Sequence, residues 1–237
     1  MAEPGGRMKV AIIPARGGSK RIPDKNITDF LGAPLMSYSI RAAEESELFD
    51  RIHVSTDSER IADVAERLGH PVDFMRDPNL ADDHTPLLPV LKWTLEQYHE
   101  RGCNYDAVCL VYPTAPLIEA DDLKQADALF QQWKGERIVM AVSRFNVPVE
   151  WAFHLDDDGT LQALQPGMGN IRSQDIRPTY YDTGTFMFLP AKDILSGAVD
   201  EKPIVGFPLA RHKAVDIDDA EDLQLAKVIF RGLHNAS

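Results

Sequence analysis

Short β-type runs alternate with amphipathic helical stretches along most of this chain, and that rhythm restricts the fold more than any other feature. Lys9–Pro14 reads as a buried strand, Arg51–Ser55 as a second, Ala107–Val111 as a strong central strand and Arg137–Val142 as the next. Between them, apolar residues recur at the spacing that places them on one helical face. Met36, Ile40 and Ala43 do so, then Ile61, Val64, Ala65 and Leu68, with Gly69 as the stop. Leu88, Leu91, Leu95 and Tyr98 mark another helix, and Leu123, Ala126, Phe130 and Trp133 the next, after the cap candidate Asp121. Strands separated by helices need crossover connections, which make neighbouring strands parallel and place helices on both faces. The expected fold class is therefore α/β with a mainly parallel sheet.

The rhythm breaks between about Ser143 and Asp182, which hold Pro148, Pro166, Pro178 and three glycines but no long helical period. This stretch reads as an insertion with a hairpin, Asp-Gly at 158–159 being a strong turn signal. Phe145, Val147, Val149, Trp151 and Phe153 alternate at period two, as a strand laid against a partner would. Thr185–Leu189, Ile204–Phe207 and Lys213–Ile217 then read as short strands, and Leu223, Ala226, Phe230 and Leu233 as a final helix.

Composition narrows the partners. The chain of 237 residues has 25 Lys plus Arg against 37 Asp plus Glu, a net charge of -12. Such a surface repels a polyphosphate backbone, so general nucleic-acid binding is excluded and an anionic small molecule needs a local basic pocket. No apolar run is long enough to span a membrane, and Met1–Arg7 is a polar, Gly-rich extension without the apolar core of a signal peptide. With only Cys103 and Cys109, the latter inside an apolar run, the expected location is the reducing cytoplasm.

A basic pocket is written directly after the first strand, as Pro14-Ala15-Arg16-Gly17-Gly18-Ser19-Lys20-Arg21-Ile22-Pro23-Asp24-Lys25-Asn26. Ligands of open α/β sheets bind beyond the carboxyl ends of strands. Adjacent glycines let backbone N–H groups approach a phosphate, and Arg16, Lys20, Arg21 and Lys25 put four cations within ten residues. That cluster suits a triphosphate, whose transferring phosphorus needs its charge neutralised. The segment is neither a Walker A loop nor G-x-G-x-x-G, and a solvated basic turn is the alternative reading.

At the other end of the chain Asp216 and Asp218 stand two apart. In an extended segment both side chains project from one face, an oxygen pair suited to Mg²⁺. The alternative is a helix cap, since Asp218, Asp219 and Asp222 precede the last helix. Asp82-Asp83-His84 is a further metal candidate, although a solvated loop is the better reading.

The loop from Ala15 to Asn26 resembles the signature of the CMP-sugar synthetases, the acylneuraminate cytidylyltransferases. Further matches follow in chain order: Val54-Ser55-Thr56-Asp57, Arg76 with Asp77-Pro78, Tyr112-Pro113-Thr114-Ala115-Pro116-Leu117, Arg172-Ser173-Gln174-Asp175, Tyr180, Gly184 and Val215-Asp216-Ile217-Asp218. The stretch from Asn170 to Phe186 most resembles the pseudaminic acid branch. Many sialic acid members have Ser and Arg where Ala115 and Ile118 stand here.

The resemblance implies one Rossmann-like nucleotidyltransferase domain over 8–233, with an acceptor-site and dimerisation insertion at about 143–182. It implies transfer of CMP from CTP to a nonulosonic acid, with Mg²⁺ as cofactor, in a homodimer. Arg16, Ser19, Lys20 and Lys25, with the backbone of Ala15, Gly17 and Gly18, would hold the CTP phosphates; Asn26, Arg76 and Thr114 would contact the nucleoside. Asp216 and Asp218 would bind the metal and, with Arg16 and Lys25, form the catalytic set. An acceptor with a carboxylate and many hydroxyls needs a cation, amides and hydroxyls. Arg172, Gln174 and Tyr180 supply these types at family positions that face the sugar, and Asp182 is a hydrogen-bond acceptor for it. A GT-A glycosyltransferase would carry Asp-x-Asp near mid-chain, and a non-catalytic nucleotide-binding module would leave the Asp pair without a task beyond capping.

Overall fold

The computed structural model describes residues 7–82 and 85–234. The expected flexible leader up to residue 6, and the metal candidates Asp83 and His84, lie outside the described residues.

Strand β1 (Lys9–Pro14) leads through the basic loop to the short pair β2 (Asp29–Phe30) and β3 (Ala33–Pro34) and then to α1 (Met36–Ser46). There follow β4 (Arg51–Ser55), α2 (Glu59–Arg67), α3 (Leu87–Glu100), β5 (Ala107–Val111), α4 (Ala120–Gln132) and β6 (Ile138–Arg144). The insertion carries the hairpin β7 (Phe153–Leu155) and β8 (Leu161–Ala163). The chain ends with β9 (Tyr180–Pro190), α5 (Ala191–Ser196), β10 (Ile204–Pro208) and α6 (Ala220–His234).

The main sheet has the order β10-β6-β9-β5-β1-β4. β1 runs parallel to β4 and β5, and β10 to β6, while β9 lies antiparallel between β5 and β6. The sheet is thus mainly parallel, as the alternation requires. Period two divides each strand between two cores. Ala11, Ile13, Cys109 and Val111 pack with α1, α2 and α4 on one face. Val10, Ile12, Val108 and Leu110 pack with α3 and α5 on the other. Complete burial of a side chain such as Phe130 or Leu91 contributes about 1.5–3 kcal/mol. Cys109 behaves as the expected buried hydrophobe, and burial pushes its thiol pKa up. No described helix is long and apolar enough to cross a membrane.

Four expectations need correction. The period-two run from Phe145 is not a strand until Phe153: Pro148 cannot donate to a ladder, and Val149–Trp151 close a 3₁₀ turn with Trp151 N–H on Pro148 O at 3.1 Å. Lys213–Ile217 is not a strand either; Arg211–Lys213 form a 3₁₀ turn and the next residues join no ladder. The cap of α4 is Glu119, in a capping box with Asp122, and Asp121 lies inside the first turn. Thr185–Leu189 is the C-terminal half of the longer β9, whose first residues, Tyr180–Asp182, pair with β6. The expected hairpin turn is present, with Gly159 at φ +84° and Asp156 N–H on Thr160 O at 2.9 Å.

Candidate active site

The basic loop is fastened at the carboxyl ends of β1 and β4. Ala15 N–H donates to Ser55 O at 2.9 Å, and Gly17 N–H to Asp57 Oδ1 at 3.0 Å. A Cβ on Gly17 would stand 3.0 Å from that of Ser58, so this close approach requires glycine. Asn26 Nδ2 donates across the loop base to Arg16 O at 3.0 Å. Asp24 takes the left-handed conformation at φ 52°, and its carboxylate meets Arg60 at 2.8 Å, tying the loop to α2.

A cleft opens above these strand ends. Arg16, Ser19, Lys20 and Lys25 line it from the loop, with Asn26 at its floor. Arg76 and Thr114, both buried, line it from elsewhere in the chain. Arg76 donates to Ser55 Oγ at 3.0 Å and to Ser55 O at 2.6 Å, which holds its guanidinium in place. Burial pulls its pKa down to about 10; Asp57 opposes the fall and Arg16 adds to it. Ala15, Gly17 and Gly18 shape the loop without lining the cleft. Sequence reasoning missed several lining residues, Tyr112, Leu80, Thr85 and Leu87 among them. Asp82 also lines the cleft and accepts from Thr85 N–H and Oγ1 at 2.6 and 2.7 Å, turning the chain into α3. Tyr112 carried a signal, since it precedes the Pro-Thr pair; the apolar residues carried none. Burial lifts its phenol to about 12, and the charges of Asp182 and Asp216 add to the rise.

Asp218 lines the cleft, while Asp216 does not line it and stands two residues earlier on a segment outside any sheet. Val215 and Ile217 are buried against Leu117, Phe30 and Leu35 beneath the loop, so the two carboxylates project the other way, as their spacing requires. Lys25 donates to Ile217 O at 2.7 Å and approaches Asp218 Oδ1 at 3.4 Å, while Arg21 meets Asp218 at 2.9 Å. The capping role belongs largely to neighbours: Asp222 accepts from the N–H groups of 218 and 219, and Asp219 from those of 221 and 222. Asp216 has its pKa raised by desolvation first and then by Asp218, with Lys25 opposing and Asp222 and Asp182 adding. Gly184 at φ +59° sits where a Cβ would stand 3.1 Å from Asp216 Oδ2. It lies in the stretch where the β6–β9 register shifts, so the irregular strand makes room for this carboxylate.

Among the described residues no group of three or more His, Cys, Asp or Glu is arranged to hold a metal ion. Two neighbouring carboxylates, of which Asp218 raises the pKa of Asp216, are a pair whose repulsion a cation would relieve, and they fit Mg²⁺, which keeps water and substrate phosphate oxygens in its shell. The acceptor candidates are not gathered in the same way. Arg172 is exposed and paired with Asp175 at 3.3 Å, Gln174 is exposed, and Tyr180 is 51% exposed. None of the three lines the cleft of this chain. Asp182 is also exposed and accepts from Gly184 N–H at 3.0 Å, but it is close enough to Asp216 and Tyr112 to act on both electrostatically.

Residues 10–145, more than half of the chain, match the family model described as Cytidylyltransferase. The chain belongs to the cytidylyltransferase family. It is 40% identical to the pseudaminic acid cytidylyltransferase of Campylobacter jejuni, over 96% of this chain and 98% of that one. It is 30% identical to the CMP-N,N'-diacetyllegionaminic acid synthase of Legionella pneumophila, over 93% of this chain and 95% of that one. A solved CMP:2-keto-3-deoxy-manno-octonic acid synthetase in complex with CTP shares the fold with a TM-score of 0.70 over 95% of this chain and 99% of that one, at 16% identity. This cytidylyltransferase is accordingly an enzyme of the nucleotidyltransferase class. Its Ala115 and Ile118, where many sialic acid members carry polar side chains, are buried and do not line the cleft.

Proposed function

We propose that this cytidylyltransferase transfers CMP from CTP to the anomeric hydroxyl of pseudaminic acid, a nonulosonic acid, and releases pyrophosphate. The observation that carries the acceptor is the 40% identity to the Campylobacter jejuni enzyme over nearly the whole of both chains.

In this reading Arg16, Ser19, Lys20 and Lys25 bind the triphosphate, and their charge disperses what builds up on the leaving pyrophosphate. Asn26, Arg76 and Thr114 hold the nucleoside, Arg76 through the guanidinium edge left over by Ser55. Asp216 and Asp218 hold Mg²⁺, which when bound supplies Lewis acidity at the α-phosphate. The acceptor hydroxyl oxygen forms the new bond to the α-phosphorus, and the bond from that phosphorus to the β-phosphate bridging oxygen breaks. The hydroxyl proton passes to a carboxylate of the acidic cluster. Arg172, Gln174, Tyr180 and Asp182 orient the sugar. The reading includes a homodimer formed through the insertion, supported by exposed Phe153, Leu155, Leu161 and Leu164 on and beside its hairpin. The reading includes a cytoplasmic location, which the use of CTP supports.

The test is pyrophosphate release with CTP and Mg²⁺ against pseudaminic, legionaminic and N-acetylneuraminic acids. The expected result is the highest kcat/KM with pseudaminic acid. A preference for either other sugar overturns the acceptor, and no pyrophosphate with any of them overturns the reaction.

A further inference from the structure

We propose that Lys213 is a positioning residue that holds the Asp216–Asp218 segment in register with the nucleotide cleft. The inference rests on the reading of those two carboxylates as the metal pair.

The segment that bears them has almost no backbone support. Among the described residues no strand pairs with 214–218, and the turn before them ends with Ala214 N–H on Arg211 O at 3.2 Å. Side chains hold it instead. Val215 and Ile217 anchor its underside in the core. On the carboxyl side Asp222 accepts from the N–H groups of 218 and 219 at 2.9 and 3.1 Å. On the amino side the tether is Lys213, whose ammonium meets Asp122 at 2.7 Å and Glu119 at 2.8 Å. The Lys213 and Asp122 side chains are each only 13% exposed. Both carboxylates raise the Lys213 pKa against the desolvation that lowers it, so the group stays charged.

The far end of this tether gives it its meaning. Glu119 and Asp122 are the two members of the capping box that starts α4. That helix begins directly after the loop from Tyr112 to Ile118, which puts Thr114 in the cleft. Lys213 therefore joins the carboxylate segment to the nucleoside-side loop by two charge-assisted bonds. Without it, the segment keeps its core anchors and the Asp222 bonds but loses its amino-side tether, and the cations beside the carboxylates, Lys25 and Arg21, are ones that the triphosphate is positioned to draw away. The α4 start does not need Lys213, because Asp122 still accepts from Glu119 N–H at 2.8 Å and acids at a helix N-terminus are favourable.

The experiment compares Lys213→Met, which keeps the apolar stem, and Lys213→Arg, which keeps both ion pairs, with Asp216→Asn as reference. Amide hydrogen exchange follows residues 214–219 and 120–132. Mn²⁺ titration of the enzyme–CTP complex by electron paramagnetic resonance follows the metal. Lys213→Met should speed exchange at 214–219 but not in α4, weaken Mn²⁺ binding about 10- to 100-fold, and lower kcat with KM for CTP at saturating metal unchanged. Lys213→Arg should restore most of each. Unchanged exchange and Mn²⁺ affinity in Lys213→Met overturn the proposal, and so does faster exchange that spreads through α4. If Asp216→Asn binds Mn²⁺ as the parent does, the metal reading itself fails; if it loses Mn²⁺ while Lys213→Met does not, only the role of Lys213 falls.

Discussion

The nucleotide cleft and the insertion are built by opposite means. Around the cleft, several candidates stand at a strand end or are held by backbone: Ala15 and Arg76 by the Ser55 carbonyl, Asn26 by the Arg16 carbonyl. In the insertion, about residues 143–182, only Ser143 and Ile176 are buried, and β7 and β8 are exposed along their whole length. One region is pre-organised within a single chain, whereas the other offers its groups to solvent or to a neighbour. Charge-bearing groups fixed in advance lower the reorganisation needed at the reacting phosphate.

The sharpest break in this comparison is Lys25→Ala. It should lower kcat/KM for CTP by roughly 10²- to 10³-fold, the cost of losing one fixed donor to developing charge. Thermal unfolding should shift little, since the hydrogen-bond partners of this side chain among the described residues are Ile217 O and Asp218. Near-parent kcat/KM in a folded variant would remove the lysine from the phosphate site.

Asp216→Asn and Asp218→Asn come next, with kcat reduced on the order of 10²-fold, about 2.7 kcal/mol of barrier, and a higher Mg²⁺ requirement. Asparagine keeps the volume and the capping ability, so unchanged stability with full turnover would reduce the pair to a cap. Gly184→Ala probes the same point from the other side. At φ +59° an alanine costs about 1–2 kcal/mol of stability, measurable by denaturant unfolding, and its Cβ crowds Asp216. A variant as stable as the parent would show that the strand yields at no cost.

Substitution of Arg172 should act on the sugar alone, and that of Asp182, whose charge also reaches Asp216, chiefly on the sugar. Arg172→Ala should raise KM for the acceptor and leave KM for CTP within about twofold. Asp182→Asn should cut the preference for pseudaminic over N-acetylneuraminic acid by about tenfold, the worth of one mismatched polar group at 1–3 kcal/mol. Steady-state kinetics with both sugars at saturating CTP decides this. A matching rise in KM for CTP would mean that the two regions are not separable.

The smallest effect on turnover is expected far from both, at Asp73. This carboxylate accepts from Arg51 and Tyr98 and lies 3.6 Å from His53. Desolvation pushes its pKa up, but the bonds from His53, Tyr98 and Arg51 outweigh it and hold the group at about 2 rather than 3.8. A depressed carboxylate stabilises the fold above the unfolded value and loses that contribution as pH falls through the folded one. Asp73→Asn should therefore flatten the loss of stability between pH 3.8 and about 2 in acid unfolding, with kcat at neutral pH unchanged. An unaltered acid profile would show that the network contributes nothing there.

Local periodicity was enough to determine the alternating α/β order, and β1, β4 and β5 have the limits their apolar runs mark. The basic loop was equally legible, because its glycines and cations are contiguous and follow a strand directly. The Asp pair was legible by spacing, and burial of Val215 and Ile217 keeps the two carboxylates on one side even without a strand. What tertiary structure alone decided involves partners distant in sequence. The antiparallel seat of β9 depends on β5 and β6 together. Room for Asp216 depends on Gly184, support for its segment on Glu119 and Asp122, and the cleft wall on Leu80, Thr85 and Leu87. A sequence pattern records which face of an element is apolar; which side chains then meet is set by packing between elements, where only the folded geometry chooses the pairs.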